Sequence, residues 1–484
     1  MAQICSGAVR LRGRPAPGRR KKIWVKVGLE LPTLVVVRRS PEAPLYSSVR
    51  DRPAPNTPGS PNGPSGPDAE GPGAPPPGGR GRRHRVDRNV KLLGVNSLLT
   101  DISSESVNAA LPLYLRNILG WSALSFGLFD GIYQGTSAIL RIFGGLHADR
   151  HRRHKEVAGA GYALSAVSKL GLLASTTAAP TAAVLLVDRI GKGIRTAPRD
   201  ALISLSSRPE NMGESFGVHR ALDTIGALLG PLLAFALLKY TGRDYNSVFV
   251  VSLCVALLGL GVLFLFVRNP ARDQLDENRA RELTRRAGLR EMMANLGFRR
   301  IAMVGGLLSF MTISDAFIYL TYENRTDMDP TSFPLLFTGT AIAYLLLAVP
   351  LGRLADRIGR APVFIGGYVV LIGCYLVLRT SGPGLATAAL MLGLLGTYYA
   401  ATDGVLMAIA STVVPAEART SGLAWLTTIT TAAKLVASIL FGLLWTWQGY
   451  DGAVTFFLVG LVVVVPIAYL ILFRPSTPHE VPAA

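Results

Sequence analysis

The chain has 484 residues, of which 49% are hydrophobic and 17% charged, with a mean hydropathy of +0.35 and a formal net charge of +19. Soluble domains average about 25% charged residues, so this composition excludes most soluble multidomain enzymes and points to one membrane domain with a tail. Cys5, Cys254 and Cys374 are too far apart to suggest a disulfide framework or a cysteine metal site.

Residues 1–88 hold 17 Lys+Arg against 6 Asp+Glu, together with 15 Pro and 12 Gly. Such a segment cannot bury enough apolar surface to offset its chain entropy, and it is predicted to be a disordered cytoplasmic tail. The mildly apolar run Ile23–Val37 is broken by Lys26, Glu30 and Pro32. It is too short to span a bilayer, and no small-residue cleavage site follows it as in a signal peptide. A basic cluster, Arg80–Arg88, stands just before the first apolar run and reads as a cytoplasmic anchor. Deleting residues 1–79 is therefore expected to leave membrane insertion and activity intact; membrane fractionation and a flux assay on the truncated chain check this.

Beyond the tail come twelve runs long and apolar enough to cross a membrane. Six lie at about 90–116, 121–146, 157–178, 180–203, 215–240 and 246–267, and six at about 300–322, 332–354, 361–380, 384–411, 418–446 and 452–473. Basic residues concentrate in alternate connections, those at 147–155, 204–214, 268–300 and 356–360 and the segment after Arg474. Both termini and the central loop are accordingly expected in the cytoplasm. The expected organisation is an all-α membrane protein: a tail at 1–88, a six-helix bundle at 89–268, a cytoplasmic loop at 269–299, a second six-helix bundle at 300–474 and a short cytoplasmic tail at 475–484.

A repeat supports the two halves. Gly145-x3-Asp149-Arg150 with Arg153 follows the second run, and Gly352-x3-Asp356-Arg357 with Arg360 follows the eighth. The same motif in the same place of each half resembles motif A of the major facilitator superfamily, and the resemblance covers about residues 90–474. It implies two bundles around a central cavity that opens alternately to each side, with the motif A residues tying helix ends together in one state. Arg152 departs from the family's preferred glycine in the first copy. Gly217-x8-Gly226-x3-Gly230-Pro231 in the fifth run is similar to motif C, associated with antiport and efflux, although Ala234 and Phe235 stand where that pattern continues with glycines. Bare glycines let helices approach closely and proline bends a helix.

Charges inside the runs are the candidate functional residues, because a charge at mid-bilayer is costly and faces an interior or a water-filled cavity. In the first run Asp101 and Glu105 stand four apart on one helix face. Asp101 lies about 16 Å along the helix from Val90, near the midplane. Two carboxylates one turn apart disfavour joint ionisation, which suits a proton carrier. In the fourth run Asp188, Lys192, Arg195 and Arg199 form one stripe with Arg189 beside it and Asp200 at its end. Arg189 matches in place the arginine of the family's motif B, which in relatives communicates with acids of the first helix. Further candidates are Asp130, Gln134, Arg141, Lys169, Arg220 and Asp223 in the first half, and Asp315, Asp403 and Lys434 in the second.

No cofactor, nucleotide or metal motif is legible. Gly191-Lys192-Gly193 lacks the rest of a phosphate loop, His147, His151 and His154 read as solvated surface, and no HExxH or nucleophile triad is present. The expectation is a monomeric, non-enzymatic secondary transporter of the cytoplasmic membrane, moving a small organic solute by proton-coupled antiport or efflux and binding no nucleic acid. The alternatives are an importer of an anionic or zwitterionic metabolite and a non-transporting membrane receptor on the same fold.

Overall fold

The structure, a computed structural model, describes residues 86–151, 153–208, 211–269, 289–380, 382, 384–415 and 419–473, with the backbone alone at 137–139, 141–151, 289–291 and 419–421. The expectations for the tail up to residue 85, for most of the central loop and for the segment after 473 lie outside the described residues.

Among the described residues all regular structure is helical. The first group is α1 (Arg88–Leu113), α2 (Ala123–His151), α3 (His154–Ala174), α4 (Ala178–Leu205), α5 (Met212–Tyr240) and α6 (Tyr245–Phe266). After the short α7 (Leu289–Ala294) come α8 (Leu296–Phe310), α9 (Asp315–Thr326), α10 (Pro334–Ile358), α11 (Arg360–Thr380), α12 (Leu385–Thr402), α13 (Val405–Val413) and α14 (Arg419–Phe473). Eight stretches are long and apolar enough to cross a membrane: α3, α5, α6, α8–α9, α10, α11, α12–α13 and α14. Helices α1, α2 and α4 are as long, at 26, 29 and 28 residues; α1 with Asp101 and Glu105, and α4 with its charged stripe, are too polar to face lipid all round.

Three interruptions shape the second group. α14 counts 55 residues, far more than a bilayer needs, and it turns at Gly449, whose φ of 74° and ψ of 172° only glycine adopts readily. α8 stops at Phe310 and α9 restarts at Asp315; in between, Ile313 N–H donates to the Tyr375 hydroxyl at 2.7 Å, so the freed backbone is satisfied inside the protein. α12 gives way to α13 across Asp403 and Gly404.

Within the first group α1 packs on α5 and α6, α3 on α4 and α6, and α2 on α4. Within the second, α10 and α11 pack on α12, and α8 on α14. The groups meet where α2 crosses α14 and α5 crosses α10. Gly127 and Gly131 of α2 lie against Ser438 and Leu435 of α14, and Phe126 meets Phe317 edge-on at 5.1 Å. Aromatic pairs of this kind contribute about 0.5–1.5 kcal/mol beyond area burial.

The end of the helical body opposite the basic connections is tied shut. After Pro112, α1 runs into a wide π-turn, Tyr114–Ile118, that aims Arg116 at the second group. Its guanidinium donates to Asn324 Oδ1 at 2.5 Å, lies 3.8 Å from Glu323 and covers the Trp445 ring at 5.6 Å. Arg243 pairs with Asp329 at 3.0 Å, and Asp451 holds both Arg325 and Arg379. At the basic end, a Cβ on Gly217 or Gly352 would meet open space, and Arg220, Asp356 and Arg357 are exposed.

Asp244 caps α6 outside the span. It accepts the Ser247 hydroxyl at 2.6 Å and the Asn246 and Ser247 N–H groups at 3.1 Å each. The hydroxyl and then the backbone donors hold its carboxyl below the usual carboxylate range. A depressed folded-state pKa stabilises above the unfolded value and loses that stabilisation as pH falls through the folded one. Asp244→Ala is expected to cost about 1 kcal/mol at neutral pH, with the gap to the parent chain narrowing below roughly pH 4; thermal unfolding at both pH values checks it.

Candidate functional site: a paired-charge network between the helix groups

The stripe on α4 meets a carboxylate at nearly every step. Lys169 of α3 donates to Asp188 Oδ1 at 3.0 Å, with the Ser168 hydroxyl adding a bond at 3.3 Å. Lys192 pairs with Glu105 at 3.2 Å and Arg195 with Asp101 at 3.7 Å. Arg199 lies 3.0 Å from Asp200 and 3.5 Å from Asp223, which also faces Arg220 at 3.7 Å. Lys169 and Arg195 have side chains only 3% exposed, whereas Lys192 keeps 32%. A buried charge is tolerated only when paired, and α4 carries its polar stripe because α1 and α5 supply acids to its bases and α3 supplies Lys169 to its Asp188.

Asp101 and Asp223 lie within hydrogen-bonding reach of each other. Two carboxylates in that relation disfavour joint ionisation. The α1–α5 crossing that brings them together depends on the glycines of the fifth span. A Cβ at Gly226 would stand 2.6 Å from the Leu98 carbonyl oxygen and 3.1 Å from Asp101 Cβ, and one at Gly230 would stand 2.8 Å from Glu105 Cβ. Pro231 is buried beside them, while Gly217 faces open space.

Arg189 takes a different set of partners. It donates to Asn108 Oδ1 at 2.7 Å and to the Tyr133 hydroxyl at 2.5 Å, and stacks over the Tyr133 ring at 3.8 Å. Asn108 in turn donates to Glu105 Oε2 at 3.1 Å, so Arg189 reaches the acids of α1 through an amide. Arg195 lies over Tyr162 at 4.7 Å, and Ser97 links His219 Nε2 (2.9 Å) with Arg199 (3.2 Å). Asn108, Tyr162, Ser97 and His219 are not among the sequence candidates. Asn108 falls three residues after Glu105 and Ser97 four before Asp101, so extending the helical stripe reaches both.

The second group contributes fewer charges, placed at its helix breaks. Asp315 opens α9 and accepts the Tyr399 hydroxyl at 2.5 Å; Asp403 ends α12 and accepts the Tyr344 hydroxyl at 3.4 Å. Asp130 of α2 is buried at the seam, where Ser438 of α14 donates to it at 2.8 Å. Lys434 is exposed one turn before Ser438. The structure thus gathers Asp101, Glu105, Asp188, Lys192, Arg195, Arg220 and Asp223 into one network joined to Arg189 through Asn108, and leaves Asp315, Asp403 and Lys434 across from it. Of the repeated loops, Gly352, Asp356, Arg357 and Arg360 are exposed at the basic end and Arg153 is exposed just before α3. The side chains of Arg141, Gly145, Asp149 and Arg150 lie outside the described residues.

Comparison with known proteins agrees with this architecture. The sequence profile of the Major Facilitator Superfamily matches residues 93–324 and 301–484. An uncharacterised MFS-type transporter of Methanocaldococcus jannaschii is 30% identical over 372 residues, covering 74% of this chain and 89% of that protein. Multidrug resistance protein MdtH of Aeromonas hydrophila is 24% identical over 270 residues, covering 55% of this chain and 64% of that protein. The crystal structure of nucleoside transporter NupG superposes with a TM-score of 0.64 at 16% identity, over 80% of this chain and 100% of that one, a likeness of fold.

Proposed function

The chain belongs to the major facilitator superfamily, and from that premise we propose that it exports a small organic solute in exchange for protons by alternating access. In this reading it is a multi-pass protein of the cytoplasmic membrane with twelve spans. α1–α6 supply six, α8–α9, α10, α11 and α12–α13 supply four, and the two arms of α14 about Gly449 supply two. The basic end faces the cytoplasm, a reading supported by the distribution of Lys and Arg. The form described here is then closed outward by the Arg116 and Arg243 contacts and open inward.

The observation that carries the coupling is the Asp101–Asp223 pair on α1 and α5, beside Arg195, Arg199 and Lys192. A shared proton between two acids leaves when a competing charge arrives or the flanking bases move, and helices that rock against each other move them. Export rather than import is supported by the Gly226-x3-Gly230-Pro231 pattern and by the likeness to MdtH. The test is solute depletion from a defined metabolite mixture by inside-out vesicles carrying the chain. At least one solute should enter when the vesicle interior is acidified, and an ionophore that collapses the gradient should stop it. A mixture that keeps its composition under both conditions contradicts the reading.

A cross-link gives a second check. Ser122 and Thr446 line the same cavity of about 280 Å³ at the outer seam, one from each group. In a chain with Cys5, Cys254 and Cys374 replaced, bridging Ser122→Cys to Thr446→Cys with a short bifunctional reagent is expected to stop flux, and reduction to restore it.

A further inference from the structure

We propose that Lys434 anchors the negatively charged group of the transported solute, a carboxylate or a phosphate. The proposal rests on the transport reading above and adds the chemical class of what is moved. Lys434 lies midway between Arg419, where α14 begins, and the Gly449 break, about 22 Å from each at 1.5 Å per residue. It therefore stands near the middle of the bilayer, where a cation on a lipid-facing surface is costly.

Its helix face points at the other group. Thr431, Lys434, Ser438 and Gly442 follow 3-4-4 spacing and form one stripe. Ser438 bonds Asp130 of α2, and Gly442 lies against Ala123 of α2. The stripe is buried at Ser438 and exposed at Lys434, so the lysine emerges where the seam between the groups gives way to open space.

Its lack of a close acid sets it apart. Lys169, Lys192, Arg195 and Arg199 each have a carboxylate within 4 Å. Among the described residues Lys434 has none. Asp315 is close enough to feel its charge, but that carboxylate is occupied by the Tyr399 hydroxyl, and Asp130 is held by Ser438. An exposed, unpaired ammonium at mid-depth, in a protein that pairs its other lysines and most arginines there, is a receptor for an anion arriving from water.

The test uses the full chain in bilayer nanodiscs, with Cys5, Cys254 and Cys374 replaced and Thr431→Cys, one turn from Lys434, as the reporter thiol. Its modification rate is measured with the sulfonate-bearing and the trimethylammonium-bearing ethyl methanethiosulfonates, each normalised to a free thiol. With Lys434 present the sulfonate reagent is expected to be favoured by about tenfold. Lys434→Gln should erase that preference and Lys434→Arg keep it. Millimolar acetate or inorganic phosphate should slow the sulfonate reagent, and whichever does so assigns the headgroup. A thiol that reacts with both reagents without charge preference, a preference unmoved by Lys434→Gln, or competition by neither anion overturns the anchor while leaving the transport reading in place. A thiol closed to both reagents overturns the anchor and the water-filled cavity together.

Discussion

Asp101→Asn is expected to abolish proton-driven flux, to the level of empty vesicles, while solute exchange without a gradient persists. The substitution keeps the shape but removes the carboxyl that, in the proposed coupling, shares a proton with Asp223, so nothing remains at that position to load and release one. Glu105→Gln removes a carboxylate whose partner, Lys192, is a third exposed and can turn to water. Its expected effect is a partial loss, because the Asp101–Asp223 pair is intact. Arg189→Lys keeps a cation but loses the planar fork that reaches Asn108 and Tyr133 together. It should impair flux as well. Uptake into inside-out vesicles between pH 6 and 8 measures all three. Normal flux with normal pH dependence in both carboxylate variants would make the pair structural.

The largest stability effect is expected at Asp188. This carboxylate accepts from Lys169 and Ser168, and its side chain is 11% exposed against 3% for the lysine. Removing one partner of a buried pair costs about 3–5 kcal/mol, because the other charge stays buried alone. Asp188→Leu should therefore lower the unfolding midpoint sharply and reduce the amount of protein recovered from membranes. Lys169→Met should cost less, because Arg189 and Arg195 remain near Asp188 and continue to compensate it. The double variant Lys169→Met/Asp188→Leu is expected to be more stable than Asp188→Leu alone, since it removes the stranded ammonium. Midpoints measured in detergent decide the order of the three.

The helices were legible where the sequence is apolar and hardest to place where it is charged. α3, α5, α6 and the runs of the second half announce themselves by hydropathy alone. α1, α2 and α4 are apolar enough to read as runs in the sequence but interrupted by polar and charged residues, so hydropathy marks them less sharply. The stripe on α4 was written in the 4-3-4 order of Asp188, Lys192, Arg195 and Arg199, but its partners were not. Which acid meets which base depends on how deeply α1 and α5 interlock, and that follows from Gly226 and Gly230 in three dimensions. The aromatic and amide members, Tyr133, Tyr162 and Asn108, carry no charge to mark them in a hydropathy reading. Asp315 and Asp403 read as isolated charges in the chain, whereas both sit at helix breaks under a tyrosine hydroxyl. Gly404 beside Asp403 was the available signal for one break; the other, at 311–314, has no glycine or proline to mark it.

The central claim, that the two helix groups rock about a proton-bearing network, is tested most directly by the distance between spin labels at Ser122→Cys and Thr446→Cys, measured in nanodiscs across pH. The two positions line the outer seam from opposite groups. The account predicts a short distance, matching the closed seam, and a second, longer one whose share changes with pH in the parent chain and no longer does so in Asp101→Asn. A single short distance at every pH, unaffected by Asp101→Asn, would contradict it.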